Sequence, residues 1–197
     1  RIIIIALKGE IEDNTMRVIT GTARGRKLQT PAGTAVRPTS DMVKEAVFSI
    51  VQFEVEGALV LDLFAGSGQM GIEALSRGAR SCVFVDNAKD SLAAVRENLR
   101  HCNLTANAKV VAGDAIVFLR DYRGEPFDIA FLDPPYAKGL LPAALIALSE
   151  HMTPSGVVLC ETDRDTALPE TAGNLMFKKQ YRYGQTKIVQ YRIRESM

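Results

Sequence analysis

One short stretch combines an acid, two prolines and an aromatic ring, namely Asp133, Pro134, Pro135 and Tyr136. The two prolines hold the backbone stiff and donate no N–H hydrogen bond. The carboxylate of Asp133 and the carbonyl of Pro134 can therefore accept hydrogen bonds from one amino group, while Tyr136 offers a ring for stacking. Such a segment could hold the exocyclic amine of a flat base with its lone pair aimed at an electrophile. Orientation and electrostatics, rather than a strong base, would carry that reaction.

A glycine-rich loop earlier in the chain could bind a cofactor. Gly66, Gly68 and Gly71 have the spacing G-x-G-x-x-G, follow an apolar run and open a helical pattern. Glycines in such a loop let the backbone turn tightly and approach a ligand closely. Asp86 ends the next apolar run 20 residues after Gly66, where a carboxylate can accept both hydroxyls of a ribose. The pattern predicts a cofactor that contains a nucleoside.

The acids around this loop favour S-adenosylmethionine over NAD. Asp62 lies four residues before Gly66, and a carboxylate there opposes a pyrophosphate, which prefers an uncluttered helix N-terminus. S-adenosylmethionine carries an ammonium, a sulfonium and a ribose but no phosphate, and Asp114 at a third strand end could face its adenine amine. The predicted cofactor contacts are Asp62, Phe64, Ala65, Gly66, Ser67, Gly68, Asp86, Asn87, Asp114 and Ala115.

These residues need a scaffold that brings strand ends together, and the hydrophobic pattern predicts one. Short apolar runs alternate with helical patterns, which is typical of a doubly wound α/β fold with a parallel sheet covered on both faces. The predicted strands are 58–64, 81–86, 108–114, 127–133 and 156–162. The predicted helices lie near 69–77, 89–102, 114–121 and 139–150.

The two ends of the chain follow different patterns. We expect 1–15 to be a foreign or appended tail and 16–36 to form a basic arm or small hairpin. The domain that would bind S-adenosylmethionine then spans 37–197, opening with a helix over 37–51 that Ser40 could cap. Residues 175–193 predict an antiparallel hairpin around Tyr183, Gly184 and Gln185 at the sheet edge.

The composition excludes several classes of protein. The chain has 197 residues with ordinary globular composition and three widely spaced cysteines, so it needs no disulfide or zinc site to fold. No apolar run approaches the length of a membrane span. We therefore expect a cytoplasmic protein that holds no metal, contacts no membrane and is a monomer.

The net charge of +1 hides two basic ends around an acidic body. Residues 16–47 hold six Lys or Arg against two acids, and 178–194 hold six against none, whereas 48–177 hold ten against seventeen acids. A basic surface is expected of a protein that binds nucleic acid, although scattered solvated charges would give the same counts. The candidate RNA-binding residues are Arg24, Arg26, Lys27, Arg37 and Thr39.

Together these motifs resemble a known family. The segments LDLFAGSG, FVDN, GDA and DPPY resemble class I S-adenosylmethionine-dependent methyltransferases that modify exocyclic amines of nucleic acids. RPTSDMVKEAVFSI, DLFAGSGQMGIEALSRGA and the final YGQTKIVQYR resemble the bacterial ribosomal RNA small-subunit methyltransferase D family, over residues 16–193. Gln69 and Met70 depart from that pattern, where smaller or more apolar residues are expected.

The resemblance implies a fold, a reaction and a partner. The fold would be Rossmann-like, with a mostly parallel seven-stranded sheet, a C-terminal antiparallel hairpin and a small N-terminal β arm. The reaction would methylate N2 of guanine 966 in 16S rRNA of an assembled or partly assembled small ribosomal subunit. Asp62 and the glycines would contact the methionine part, Asp86 the ribose and Asp114 the adenine. Asp133 through Tyr136 would form the catalytic pocket, and Arg37, Pro38 and Thr39 would reach the cofactor or the RNA.

Three alternatives remain open at the level of sequence. An adenine N6-methyltransferase acting on DNA or RNA would use the same chemistry on another base. An NAD-dependent oxidoreductase would share the glycine loop but need a catalytic Lys, Tyr or His pair, and no convincing one occurs. His101 and His151 instead lie on helical stretches away from the strand ends, and we expect structural or surface roles for both. A non-catalytic RNA-binding module would not require acids at three strand ends.

Overall fold

The computed structural model describes residues 16–31, 41–135 and 139–194. These residues contain five α-helices and one eight-stranded sheet. The helices are α1 (Asp41–Ile50), α2 (Gln69–Ser76), α3 (Lys89–Cys102), α4 (Ala115–Asp121) and α5 (Leu141–Leu148). The strands are β1 (Leu59–Leu63), β2 (Ser81–Asp86), β3 (Ala108–Ala112), β4 (Phe127–Leu132), β5 (Met152–Asp163), β6 (Thr171–Ala172), β7 (Leu175–Tyr183) and β8 (Thr186–Ile193).

The order of the strands determines where a ligand can bind. Across the sheet the order is β3-β2-β1-β4-β5-β8-β7-β6. Strands β1 to β5 run parallel, while β8, β7 and β6 add antiparallel pairs. From β1 the chain continues to β2 and β3 on one side of β1, and it then crosses back to place β4 on the other side. This reversal opens a crevice beyond the carboxyl ends of β1 and β4, the usual ligand position in open α/β sheets.

Helices cover both faces of the sheet. On one face α1, α2 and α3 enclose a core that includes Phe48, Ile72, Phe84, Val95 and Phe131. On the other face α4 and α5 enclose a second core that includes Leu61, Leu119, Leu132, Leu145 and Tyr191. All five residues of β1 are buried, as expected for a central strand with both faces covered. The sheet is therefore a rigid support for the loops at its carboxyl edge.

The predicted α/β architecture is confirmed, with small differences at the boundaries. The sheet has eight strands rather than seven, because Thr171–Ala172 pairs with the start of β7 over only two residues. Two residues carry no detectable alternation, so the sequence pattern could not reveal this strand. Strand β5 begins earlier than predicted, at Met152, and pairs there with Phe127.

The N-terminal arm doubles back on itself as a short antiparallel turn, in which Val18 donates to the Arg26 carbonyl at 2.9 Å and Leu28 donates to the Met16 carbonyl at 2.7 Å. Its two sides meet at one isolated antiparallel bridge, between Arg17 and Lys27. The buried carboxylate of Glu73 on α2 accepts the backbone N–H groups of Ile19 and Thr20, at 2.8 and 3.0 Å. The arm is thus fastened to α2 by charge-assisted hydrogen bonds, which are among the stronger ones in proteins.

Some predictions fall on segments outside the described residues. These are the tail at 1–15, the Ser40 cap and the segment at 32–40, and Tyr136 at the end of the catalytic stretch. Among the helices that the structure describes, none has the length and apolar character that crossing a bilayer requires. The three cysteines, Cys82, Cys102 and Cys160, are buried and unpaired with one another.

Candidate active site at the carboxyl edge of the sheet

The loop between β1 and α2 has a strained backbone at its first residue. Phe64 has a φ of 70°, in the left-handed region that non-glycine residues rarely occupy. Its N–H and that of Ala65 both donate to the carbonyl of Val85, at 3.0 and 2.9 Å, which ties the loop to the end of β2. Holding Phe64 in this conformation costs about 1–3 kcal/mol. Phe64 is a predicted cofactor contact, but nothing in its local sequence indicates this strain.

Asp86 supports the same loop through its carboxylate. Oδ2 accepts the N–H of Gly66 at 2.8 Å, and Oδ1 accepts the N–H of Ala88 at 2.8 Å. Each carboxylate oxygen can accept a second hydrogen bond, so ribose hydroxyls could bind as well. A Cβ placed on Gly66 would meet nothing within 4 Å, so a ligand has room to approach the backbone here. The geometry is compatible with the predicted ribose contact.

Asp114 caps the helix that follows β3. Its Oδ1 accepts the N–H groups of Ile116 and Val117, at 2.9 and 3.0 Å, which satisfies two donors at the start of α4. Among the described residues Oδ2 has no hydrogen-bond partner. Asp114 and Asn87 are exposed and Ala115 is buried. The cap explains why β3 ends before Asp114 and leaves one carboxylate oxygen for the predicted adenine contact.

Asp62 is buried beneath the glycine loop. Its Oδ2 accepts the N–H of Gly71 at 2.9 Å, and the residue is only 4% exposed. Burial raises the pKa of Asp62 to about 7, against the lowering effect of the Gly71 hydrogen bond, and the nearby charge of Asp86 raises it further. This carboxyl therefore holds α2 against the end of β1. Its contact with an ammonium group stays a prediction.

Asp133 follows β4 and lies at the rim of the crevice. The residue keeps an open path to solvent, while Pro134 is buried and Pro135 is exposed. The surrounding protein nevertheless crowds the carboxyl: partial desolvation, together with the charges of Glu161 and Asp62, raises the pKa of Asp133 well above its usual range. A carboxyl with a raised pKa accepts a proton more readily than an ordinary aspartate does.

Glu161 was missed by sequence analysis. It lies near the end of β5, one residue after Cys160, which pairs with Leu132 of the adjacent β4. Asp133 follows Leu132 directly, so the two acids occupy neighbouring positions on parallel strands. The signal in the sequence was an acid that interrupts an apolar run, but an isolated acid at a strand end does not show which strand lies beside it.

Backbone contacts to the N-terminal arm support the loop from the other side. The buried Asn98 of α3 donates from Nδ2 to the carbonyls of Ser67 and Gln29, both at 2.9 Å, and accepts the Gln29 N–H at 2.8 Å. The Ser67 hydroxyl lies 3.1 Å from the sulfur of Met16. Gln69 is also buried here, and its Oε1 has no partner among the described residues. The arm therefore forms part of the support for the glycine loop.

The candidate RNA-binding residues of the arm lie far from this edge. The turn that carries Arg24 packs against Ser76, where Thr22 and Ala23 donate to the Ser76 carbonyl and hydroxyl, at the far end of α2. Arg26 donates to the carbonyl of His101 at the end of α3. Lys27, in the bridge with Arg17, lies on the same arm. Arg37, Pro38 and Thr39 fall outside the described residues.

Other polar features lie away from the crevice. Two shallow depressions, one including Glu54 and Asp128 and the other including Thr20 and Arg77, lie at the amino edge of the sheet and contain none of the predicted site residues. His151 is half-buried and meets the ring of Tyr122 edge-on, at 5.5 Å between centroids. Within the described ranges no cluster of three His, Cys, Asp or Glu side chains could hold a metal ion.

A parallel sheet with this switch point, a glycine loop after β1 and carboxylates at the ends of successive strands defines the class I methyltransferase fold. Solved structures share it: the yhhF protein of Escherichia coli aligns with a TM-score of 0.79 at 34% identity, over 91% of this chain and 98% of that chain. A Thermus thermophilus protein, TTHA0928, aligns with a TM-score of 0.78 at 31% identity, over 90% and 99% of the two chains.

The chain belongs to the family described as "Conserved hypothetical protein 95", which matches residues 16–192. A Bacillus subtilis relative named "Putative rRNA methyltransferase YlbH" is 42% identical over 91% of this chain and all of that protein. The ribosomal RNA small subunit methyltransferase D of Escherichia coli is 33% identical over 90% of this chain and 88% of that protein. The resemblance inferred from the sequence motifs is thereby confirmed.

Proposed function

We propose that this protein transfers a methyl group from S-adenosylmethionine to the exocyclic N2 of a guanine in 16S rRNA of the small ribosomal subunit. The observation that carries the proposal is the position of Asp133, with its raised pKa, at the rim of a crevice beside the glycine loop. The names of relatives that span nearly the whole chain support the same class of substrate.

The residues present fit this cofactor. S-adenosylmethionine supplies a methyl group on a positively charged sulfur, and it carries no phosphate that the acids around the loop would repel. Asp86 keeps acceptor capacity for a ribose, Asp114 keeps Oδ2 for an adenine amine, and the space over Gly66 is open. The acids at the crevice also favour a cationic ligand by long-range attraction.

Asp133 would orient the amine and then receive its proton. A guanine N2 is a poor nucleophile because its lone pair is delocalised into the ring, so a fixed acceptor must turn its hydrogens away from the methyl donor. As the new N–C bond forms and the S–C bond breaks, positive charge develops on the nitrogen. The carboxylate at the rim of the crevice stabilises this charge. Its raised pKa suits it to take the surplus proton afterwards.

A base within folded RNA must leave its stack to reach this crevice. Tyr136, which lies outside the described residues, would supply the ring on which the extruded guanine stacks. Pro134 and Pro135 would keep the segment stiff, so that the Pro134 carbonyl can accept the second amine hydrogen. We further propose that the enzyme acts as a cytoplasmic monomer on an assembled or partly assembled small subunit.

One experiment tests the reaction and its alternatives together. The protein would be incubated with labelled S-adenosylmethionine and 30S particles, naked 16S rRNA or DNA, and the modified nucleoside identified by nuclease digestion and mass spectrometry. N2-methylguanine from the ribosomal substrates is expected. N6-methyladenine would instead assign the enzyme to the adenine methyltransferases. If calorimetry showed tight binding of NAD and no binding of S-adenosylmethionine, the protein would instead be assigned to the NAD-dependent oxidoreductases.

A further inference from the structure

The strand β7 carries an exposed row of basic and aromatic side chains. Five consecutive residues, from Met176 to Gln180, are exposed, and so is Arg182. Its outer edge pairs with β6 only at Leu175 and Met176, so the stretch after Phe177 has no strand beside it within the described part of the chain. Tyr181 is half-buried and points to the same face of the sheet as Lys179, Arg182 points to the other face, and Lys178 lies at a register shift between Phe177 and Lys179. These four side chains therefore surround the open edge of β7 rather than one face, and we call them the β7 platform.

The two strands of this hairpin carry charges of one sign. Residues 175–194 contain six Lys or Arg and no acid. Two of the six have structural contacts: Lys187 is buried and donates to the Thr166 carbonyl, and Arg192 donates to the Ser155 carbonyl and to Glu54. The three cations of the β7 platform have no carboxylate partner among the described residues. Cations that are not neutralised by the protein itself are available for a polyanion.

The platform also offers an aromatic ring. The Nζ atom of Lys179 lies over the ring of Tyr181, 4.9 Å from its centroid. Proteins that bind single-stranded nucleic acid combine such rings, on which bases stack, with cations that follow the phosphate backbone. A protein partner that added a strand to this edge would use the backbone, and lysines along an edge oppose that mode of binding. The chemistry therefore favours RNA.

The register of the sheet places the platform beside the crevice. Tyr181 pairs with Ile188 of β8, and Ile188 pairs with Glu161 of β5. Glu161 neighbours Asp133 in turn, so Tyr181 is level with the catalytic edge. With neighbouring strands about 4.8 Å apart, three spacings separate β7 from β4, or roughly 14 Å. Side chains directly opposite on paired strands point to one face, so Tyr181 shares the face of Ile188 and Phe131, which lie in one core.

We propose that the β7 platform binds single-stranded RNA next to the target nucleotide, with Tyr181 stacking on a base and the three cations contacting phosphates. The proposal rests on the proposed RNA methyl transfer. This role differs from the one predicted for the arm, because Arg24 and Arg26 lie near the amino ends of the strands, away from the crevice. The platform would bind the RNA strand that enters the crevice and so help to hold the target base out of its stack.

The test measures RNA affinity apart from methylation. The probe is a uridine oligomer of about twelve nucleotides, within the span that such surfaces cover, with one central guanine. Tyr181→Ala should weaken its binding about 5- to 150-fold, the equivalent of one lost stacking contact, and Tyr181→Phe should retain it. Changing Lys178, Lys179 and Arg182 to Ala should lower the salt slope by about 0.7 per lost phosphate contact. Lys109→Ala, on the opposite edge strand β3, is the matched control.

The outcomes separate this proposal from the proposed function. Unchanged affinity and salt slope in all platform variants would overturn it, even if the wild type makes N2-methylguanine. A loss of binding to 30S particles with no loss on the oligomer would also overturn it, and would assign the surface to a ribosomal protein. If platform variants lose RNA binding while the wild type transfers no methyl group, the platform stands and the proposed reaction fails. Unchanged S-adenosylmethionine affinity would show that the variants are folded.

Discussion

The carboxylate of Asp86 accepts the N–H of Gly66 at 2.8 Å, so the acid predicted to bind the ribose also holds the glycine loop in place. Both roles belong to one carboxylate, because its oxygens accept backbone N–H groups and keep further lone pairs for a ligand. A single substitution at Asp86 should therefore affect both the shape of the loop and the ligand that it accepts.

Asp86→Ala should weaken S-adenosylmethionine binding by about 1.5–3 kcal/mol, the range for a lost charge-assisted hydrogen bond. Isothermal calorimetry measures the loss. Asp90→Ala is the control, since Asp90 is a nearby exposed acid in the first turn of α3. This substitution removes the same charge but no contact to the loop. Equal losses in both variants would mean that only net charge matters and that Asp86 does not contact the ribose.

Asp133→Asn should leave cofactor affinity unchanged but lower single-turnover methyl transfer by about 10²-fold, comparable to the loss of one preorganised electrostatic contact. The pH dependence gives a second readout. Because the pKa of Asp133 is raised, its protonated fraction persists to higher pH, and only the ionised form accepts the amine hydrogen. The wild-type rate should rise with pH through the raised pKa and then level off, whereas the variant should lack this step. A rise of the same size in both would exclude Asp133 as its origin.

Asp62→Asn should change how stability depends on pH. The folded state holds the Asp62 proton up to a pH of about 7, while an unfolded aspartate loses it near 3.8. Between these values the folded state binds more protons, so this group's contribution to stability falls as pH rises, and it is constant above about 7. Urea denaturation at pH about 5 and about 8 should show the variant gaining relative to wild type at the higher pH. The gain should be on the order of a few kcal/mol at most. Parallel stability curves would contradict it.

Two glycines of the arm provide a matched pair. Gly21 and Gly25 have φ values of +85° and +81°, so alanine is strained alike at both. A Cβ on Gly21 would come 1.7 Å from the Ser76 carbonyl oxygen, whereas one on Gly25 meets nothing within 4 Å. Gly25→Ala should cost about 1 kcal/mol, and Gly21→Ala about 2–4 kcal/mol, because the turn must also lift from α2. Thermal denaturation of both variants measures the difference, and equal losses of stability would show that the arm does not pack against Ser76.

The basic turn of the arm gives a further test. Changing Arg24 and Lys27 to Ala should lower the salt slope of 16S rRNA binding by about 0.7 for each lost phosphate contact. Turnover at saturating RNA should stay at the wild-type value, because this turn lies at the edge of the sheet opposite the crevice. Arg26 is kept, since it contacts the His101 carbonyl, and Arg123→Ala serves as the control. An unchanged salt slope would mean that these side chains do not contact RNA phosphates.

The sequence was informative where a local pattern determines a local structure. Helix α3 occupies the predicted 89–102 and β2 the predicted 81–86, because apolar periodicity and strand alternation are both short-range signals. The glycine loop and the strand-end acids were equally visible. The fold class followed from the alternation of strands and helices.

Long-range relationships could not be obtained in the same way. The neighbourhood of Asp133 and Glu161 depends on β4 and β5 lying side by side, which no spacing along the chain encodes. The left-handed conformation of Phe64 was hidden because a phenylalanine ordinarily argues against it. The basic arm looked like part of an RNA-binding surface on composition alone, and its separation from the crevice emerged only from the contacts with Ser76 and His101.

The position of β8 within the sheet sets the order in which the chain can fold. This strand, which ends at Ile193, lies between β5 and β7 rather than at an edge. During synthesis β5 therefore emerges with an unpaired edge, and β7 has only the two-residue β6 beside it until about ten further residues have been added, roughly a second at 5–20 residues per second. The hairpin must close onto β5 last. A chain arrested before this point would expose an apolar strand edge and be prone to aggregate.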